Sequence, residues 1–336
     1  MDGKNTENPI TASREWQKLQ NDLGEKSVYE QKMGYHFLAI IKSTIVGNYL
    51  FVPYGPVAKD EKSFKNAISS LKNLAKTHHA FFIRMEPQNP DFARLLPSSA
   101  KKVKDIDPKD TWVLDLTKDK TELISNFSQG TRTRYHNYKK KGIIVEITQN
   151  HDEIKHLVAL QQKLFEKKHL TAYDANYLKK ELEQPFATLY LVKYDASKDE
   201  TLAHSDSSPD SSPKKNLNET LNNKPKDQQI LAASLFFDYG DTRYYMQSAA
   251  DQDYKKLPAI VALLTTAIMD AKEQGIERFD FWGIAPDGAD QSHHWYGFTE
   301  FKKSFGGAPK HYADTYDLPI NPLKYSLYRF LKRFKP

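Results

Sequence analysis

The sequence predicts an α+β protein of two tandem domains of one kind, each a mixed β-sheet flanked by helices. Three observations lead there. The chain of 336 residues is long enough for two cores of ordinary size. The order strand, strand, helix, strand occurs over 35–85 and again over 230–281, an internal repeat. Segments with apolar residues at helical spacing follow strand-like segments in both halves, so sheet and helices share each core.

The elements run as follows. Ser13 is placed to cap a helix over 13–23 that carries Trp16 and Leu19 at helical spacing. Strands at 35–42 (YHFLAIIK) and 48–52 (NYLFV) end at the breaker Pro53-Tyr54-Gly55-Pro56. Phe64, Ile68, Leu71 and Ala75 mark a helix over 60–77, and AFFIRM at 80–85 reads as a buried strand. WVLDL at 112–116 is the next strand, after which Asp119 caps a helix running into Phe127. Strands at 143–147 and 187–193 enclose helices over 152–168 and 175–182. Strands at 230–238 and 243–248 meet at a Tyr239-Gly240-Asp241 turn. A helix over 258–273 opens with Pro258 and stops at Gly275, and a strand at 277–281 closes the repeat. The stretch 196–226 has no aromatic residue and is rich in Ser, Asn, Asp, Lys and Pro. It is expected to be a disordered loop inserted between two strands of the second domain. The expected domains are 1–127 with 314–336, and 128–313.

Composition narrows the chemistry. There are no cysteines, which excludes disulfides and a thiolate nucleophile, and any zinc site would need histidines and carboxylates. The pairs His78-His79 and His293-His294 are adjacent and diverge in direction, so no metal site is expected. No run approaches the roughly 18 apolar residues of a membrane span, and the opening residues lack the apolar core of a secretory leader. A cytoplasmic monomer is expected. The net charge of +6 permits a polyanionic partner.

The stretch 277–312 concentrates the functional signals. Phe279 and Phe281 share one face of a strand and Asp280 and Trp282 the other, and Gly283 ends it. A polar loop over 285–296, a candidate lid, leads to FKKSFGG. There Phe301 and Phe305 stand one helical turn apart as anchors, Lys302 faces another way, and Gly306-Gly307 stops the turn. Asp280 and Glu300 are candidate proton acceptors. Two basic stretches stand apart. Arg132, Arg134, Lys139, Lys140 and Lys141 interleave with Tyr135, His136 and Tyr138 without an acid, which suits RNA phosphates. The stretch 323–336 carries Leu327, Tyr328, Leu331 and Phe334 at helical spacing among Lys324, Arg329, Lys332, Arg333 and Lys335. Such a helix suits either an anionic membrane surface or packing on the first domain.

Strand, strand, helix, strand is the core order of the GNAT-type N-acyltransferase fold. In CoA-dependent members a glycine-rich turn before the helix offers N–H groups to pyrophosphate. Here the corresponding stretches, AADQDYKKL at 249–257 and VAKDEKS at 57–63, contain no glycine, which favours an acyl donor other than CoA. The duplicated unit, TWVLDL, the basic segment before IIVEI, YGDTRYYMQSA, FDFWGI and FKKSFGG together resemble the FemABX family in its short, armless form. Members move an amino acid from aminoacyl-tRNA to the stem peptide of a peptidoglycan precursor. The resemblance implies no cofactor, aminoacyl-tRNA and a lipid- or nucleotide-linked muropeptide as partners, and peripheral contact with the inner membrane face. It assigns Lys302 to the developing oxyanion, with Phe301 and Tyr296 on the substrate side. It places Tyr245 at the precursor, with Lys18 and Arg243 as candidate cations there. The family's phosphate-binding cations fall on Gln20 and Asp241, with Lys18 and Arg243 the nearest cations. Two other readings stay open: an N-acyltransferase with another non-CoA donor, such as an acyl-carrier thioester, and a non-catalytic RNA- or membrane-binding module.

Overall fold

The computed structural model describes residues 9–168, 173–201 and 229–334. Two compact units emerge. One comprises Met1–Thr111, Gly283–Gly288 and Pro309–Pro336, the other Trp112–Trp282 and Ala289–Ala308. The strand at Asp110–Asp115 enters the second sheet, so the first unit gives way at Thr111 and not at 127.

In the first unit, Ser13 caps the helix Arg14–Asp22 by accepting the Trp16 N–H at 3.0 Å. A hairpin follows. Lys26–Lys32, a strand the sequence pattern does not reveal because it has no apolar alternation, pairs antiparallel with Tyr35–Thr44. Tyr35–Thr44 pairs with Gly47–Val52, and the helix Glu61–Thr77 crosses over to Ala80–Met85, parallel to Gly47–Val52. Phe64, Ile68, Leu71 and Ala75 bury the helix against Phe37, Leu50 and Ile83. The chain returns at its end to add Tyr316–Pro319 beside Ala80–Met85. There Arg84 and Asp317 form a buried bidentate pair at 2.7 and 2.8 Å.

The second unit repeats the pattern. Gln229–Tyr239 pairs antiparallel with Thr242–Ala250, the helix Ala259–Glu273 crosses over, and Arg278–Gly283 returns parallel to Thr242–Ala250. The strands of this sheet are ordered Ala308–His311, Asp110–Asp115, Arg278–Gly283, Thr242–Ala250, Gln229–Tyr239, Ala187–Asp199, Lys141–Thr148. Both units therefore carry the GNAT-type core, a hairpin joined through one helix to a parallel third strand. The helix Ala259–Glu273 is apolar nearly all round, as expected of an element packed into the core with Phe236, Phe279 and Phe281.

The strand Ala187–Asp199 runs past the expected end at 193. Lys141–Thr148 pairs along it from Thr148↔Leu189 to Ile143↔Tyr194 and meets the extension again at Lys141↔Asp199, with the register shifting across 195–198. Residues 196–199 of the expected loop are therefore strand; the rest of that expectation, from 202 on, lies outside the described residues. Among the described residues, no helix is long and apolar enough to cross a membrane.

Candidate active site

The second unit brings Lys302 within electrostatic reach of Asp280 on its last core strand. Asp280 sits on Arg278–Gly283, opposite Tyr244 in the parallel pairing, and is 2% exposed. Its Oδ1 accepts the Trp282 N–H at 2.7 Å. That bond holds Trp282 in a left-handed backbone conformation, φ +65°, unusual for an aromatic residue and costing on the order of 1 kcal/mol. The Trp282 and Tyr244 rings meet edge to face at 6.1 Å.

Lys302 comes from the helix Tyr296–Lys303 and is partly buried. Burial pushes its ammonium down to about 8, while the charge of Asp280 pulls the other way. Aromatic anchors seat the helix as the spacing predicts. Phe305 is fully buried against Phe281 at 5.3 Å, Phe127 at 5.6 Å and Phe301 at 5.3 Å. Gly306 and Gly307 then turn the chain at φ +78° and +97°. A Cβ on Gly307 would lie 2.4 Å from the Val113 carbonyl oxygen, so only glycine lets the strand Asp110–Asp115 approach here. The Trp112 indole N–H donates to the Gly306 carbonyl at 2.7 Å and fixes the same turn.

The basic segment docks onto this helix. Ser128 caps Gln129–Asn137 and donates its own N–H to the Ser304 carbonyl at 2.7 Å, and the Thr131 and Ser304 hydroxyls meet at 2.9 Å. The helix stops at Asn137, and Lys141 opens the next strand. The five cations therefore divide. Arg134, Lys139 and Lys140 are exposed. Arg132 donates to the carbonyls of Ser125 and Phe127, closing off the preceding helix, which removes it from an RNA-facing set. Lys141 is partly buried in its strand.

Arg243 requires a correction. It is 1% exposed, and its guanidinium makes a bidentate pair with Asp238 at 2.7 Å on both nitrogens. The remaining nitrogen reaches Asp270 at 2.5 Å, the Tyr190 hydroxyl at 2.7 Å and the Ala267 carbonyl at 3.1 Å. With its donors spent inside the core, it has none for a substrate phosphate. Alternation alone misleads here, because the strand turns this position onto the helix Ala259–Glu273. Asp241, the position where a phosphate-binding cation would fall, is paired with Arg278 at 2.5 Å. Tyr245 is half-buried, stacks on Phe236 at 5.5 Å and donates to the Ser248 hydroxyl at 2.7 Å.

Lys18 is exposed on the helix Arg14–Asp22 of the first unit, while Gln20 is buried. Tyr296 begins the Lys302 helix and is partly buried, as is Phe301. Glu300 is exposed and paired with Lys303 at 2.9 Å. In the expected lid, Ala285 is buried while 286–288 are exposed. Sequence reasoning missed Tyr244 as a neighbour of Asp280; its signal was the parallel register opposite that residue, invisible before strand pairing is known. Among the described residues, no group of three or more His, Asp or Glu is placed to hold a metal ion.

The loop before the helix Ala259–Glu273 carries two aspartates, Asp251 and Asp253, and two lysines, Lys255 and Lys256. Lys163 bridges Asp251 at 2.7 Å and Asp253 at 2.6 Å, and Lys163 with Lys167 holds the Asp253 carboxyl down at about 2. In the first unit the carboxylate of Asp60 caps the helix Glu61–Thr77 by accepting the Ser63 N–H at 2.7 Å. The helix Ala259–Glu273 itself starts at Pro258 without a side-chain cap.

Fold and site together define a tandem GNAT-like chain with a helix-borne lysine beside a buried carboxylate. The FemAB family model matches residues 192–333. Lipid II:glycine glycyltransferase of Staphylococcus saprophyticus is 22% identical over 326 aligned residues, covering 83% of this chain and 74% of that protein. The crystal structure of FemX superposes with a TM-score of 0.79 at 18% identity, over 96% of both chains. L-PGS from Bacillus licheniformis superposes with a TM-score of 0.57 at 13% identity, over 97% of this chain and 98% of that one. The match to the FemAB family model thus lies within the second half of the chain, at residues 192–333, and the likeness to the FemX fold runs through nearly its whole length.

Proposed function

We propose that this protein is an aminoacyltransferase of cell-wall synthesis that moves an amino acid from aminoacyl-tRNA to the stem peptide of a lipid- or nucleotide-linked peptidoglycan precursor. The observation that carries the reading is Lys302, partly desolvated beside Asp280, in a chain similar to a lipid II glycyltransferase. An aminoacyl ester is already activated toward amines. Aminolysis then needs positioning, removal of a proton from the attacking amine, and a positive group at the developing oxyanion. Lys302 supplies the positive group. With a pKa of about 8 it is roughly nine-tenths protonated at pH 7. Asp280 acts through Lys302, keeping it charged despite its burial. The lack of glycine in both stretches before the crossover helices, 57–63 and 249–257, weighs against a CoA donor.

The experiment is direct: incubate the protein with labelled aminoacyl-tRNAs and lipid- or nucleotide-linked muropeptide. Transfer abolished by RNase supports the reading. Transfer from a carrier thioester that RNase leaves intact would instead support the other acyl donor.

Asp280→Asn tests the electrostatic coupling to Lys302. Activity that depends on the ammonium is full below its pKa and declines as pH rises through about 8. Asparagine keeps an acceptor for the Trp282 N–H but loses the charge, so the alkaline limb should move to lower pH while the acid limb stays in place. An unmoved alkaline limb would detach Asp280 from Lys302.

The basic segment is the proposed tRNA contact, through Arg134, Lys139 and Lys140. Replacing these three by alanine should weaken aminoacyl-tRNA binding. It should also flatten the dependence of log K on log salt by about 2–3, one lost phosphate contact per cation. Arg132→Ala should instead lower stability without changing that slope. Equal salt slopes for the triple variant and the parent protein would remove the segment from the RNA interface.

A further inference from the structure

We propose that the first unit docks on an anionic phospholipid surface through its C-terminal helix and a basic cleft beside it. The helix Pro322–Lys332 is amphipathic in two opposed directions. Tyr325 and Tyr328 turn inward onto Phe82, at 5.4 and 5.2 Å, and fasten the helix to the first unit. The Tyr325 hydroxyl adds a 3.0 Å bond to the buried carboxylate of Asp317. Leu323, Leu327, Phe330 and Phe334 follow one another at intervals of four, three and four residues. They form a single stripe opposite those tyrosines. The stripe faces out: Leu323 is 85% exposed, Leu327 50%, Phe330 56% and Phe334 70%. Most exposed apolar residues in a soluble protein are scattered; three aligned on one helix, continued by Phe334 just past its end with its ring 5.1 Å from that of Phe330, mark a contact surface.

Charge beside the stripe selects the partner. A cleft of ≈ 520 Å³ lies between this helix and the strand Lys101–Lys102 with its continuation. It is lined by Arg84, Lys102, Lys104, Arg329, Lys332 and Arg333, with Val103 and Tyr328, and among the described residues no carboxylate lines it. Two of these cations are offset from behind, Arg84 by Asp317 at 2.7 Å and Lys102 by Asp314 at 2.6 Å. Lys104, Arg329, Lys332 and Arg333 give the cleft its net positive charge. A cation-lined cleft beside an apolar stripe matches the two layers of an anionic bilayer surface: acyl chains for the leucines and phenylalanines, phosphates for the cations. RNA would use the cleft and leave the stripe wet. A second copy of this chain would cover the stripe but bring its own cations against these.

The test is co-sedimentation of the full chain with vesicles of phosphatidylcholine alone or with phosphatidylglycerol added. Binding is expected to the phosphatidylglycerol vesicles only, and to fall as salt rises. The double variants Leu327→Glu/Phe330→Glu and Arg329→Glu/Lys332→Glu should each lower it at least tenfold. These side chains lie at the surface, so circular dichroism matching the parent protein shows that each variant folds. Inorganic phosphate at the same ionic strength as chloride should displace the protein no more than chloride does. Stronger displacement would mean a site for free phosphate and would overturn the lipid assignment. So would equal binding to neutral vesicles, no binding by the intact chain, or a dimer in sedimentation equilibrium that Phe330→Glu dissolves. Loss of tRNA binding in Arg329→Glu/Lys332→Glu with vesicle binding intact would transfer the cleft to RNA.

Discussion

Replacing Lys302 by alanine is expected to lower kcat for aminoacyl transfer by about 10²–10³-fold, with the KM for the precursor changed less than about threefold. The magnitude follows from where the charge sits. An oxyanion donor is worth most where water is excluded and the donor does not reorganise as charge develops. Lys302 is partly buried, and Phe301 and Phe305 hold its helix against Phe281 and Phe127, so the stem of the side chain starts from a fixed point. The split between kcat and KM separates roles. A lysine that binds the precursor's phosphates would raise KM, and a lysine that only packs would shift stability and leave both kinetic constants alone. Lys302→Arg sharpens the distinction. It keeps the charge but brings a larger, planar head with a pKa too high to titrate in the working range. Any activity it retains should lose the alkaline decline that begins near pH 8. Wild-type kcat in Lys302→Ala would end the assignment.

Periodicity carries far in this chain where packing is local. The helix Glu61–Thr77 follows from the spacing of Phe64, Ile68, Leu71 and Ala75, and its cap from Asp60. The repeat follows because each unit sets its hairpin, crossover helix and parallel strand in sequence order. Elements set by strand pairing and not by periodicity are less legible. Lys26–Lys32 has no alternating pattern and is a strand because Tyr35–Thr44 offers it an edge. Residues 196–199 are polar enough to read as loop, yet the strand continues through them and pairs with Lys141 at Asp199. At the site, FKKSFGG gives the lysine, its anchors and the turn, since all three are local. It does not give the position of Asp280 opposite Tyr244, which depends on strand register. Charged residues are the hardest to place. Arg132 and Arg243 look like surface cations in a list of residues. One is spent on backbone carbonyls and the other on two carboxylates.

Arg243→Ala is expected to destabilise the second unit by about 3–5 kcal/mol while leaving precursor affinity in the folded protein within about twofold of the parent. The guanidinium ties three elements together: its own strand hairpin through Asp238, the helix Ala259–Glu273 through Asp270 and the Ala267 carbonyl, and Ala187–Asp199 through the Tyr190 hydroxyl. Truncation leaves two carboxylates without a countercharge and a void in the core, and the planar fork that reaches Asp238 and Asp270 together has no substitute. Lysine, with one ammonium in place of a fork, should recover less than half of the loss. The measurements are the urea midpoint and a direct precursor-binding isotherm taken well below the unfolding temperature. A phosphate ligand and a structural strut predict opposite outcomes. If Arg243→Ala unfolds at the parent's midpoint and fails to bind the precursor, the strut reading is wrong, and the guanidinium must leave its carboxylates to meet substrate. If the midpoint collapses while the remaining folded protein binds normally, the precursor's charge is met elsewhere. Lys18, exposed on the helix Arg14–Asp22, is then the next residue to substitute.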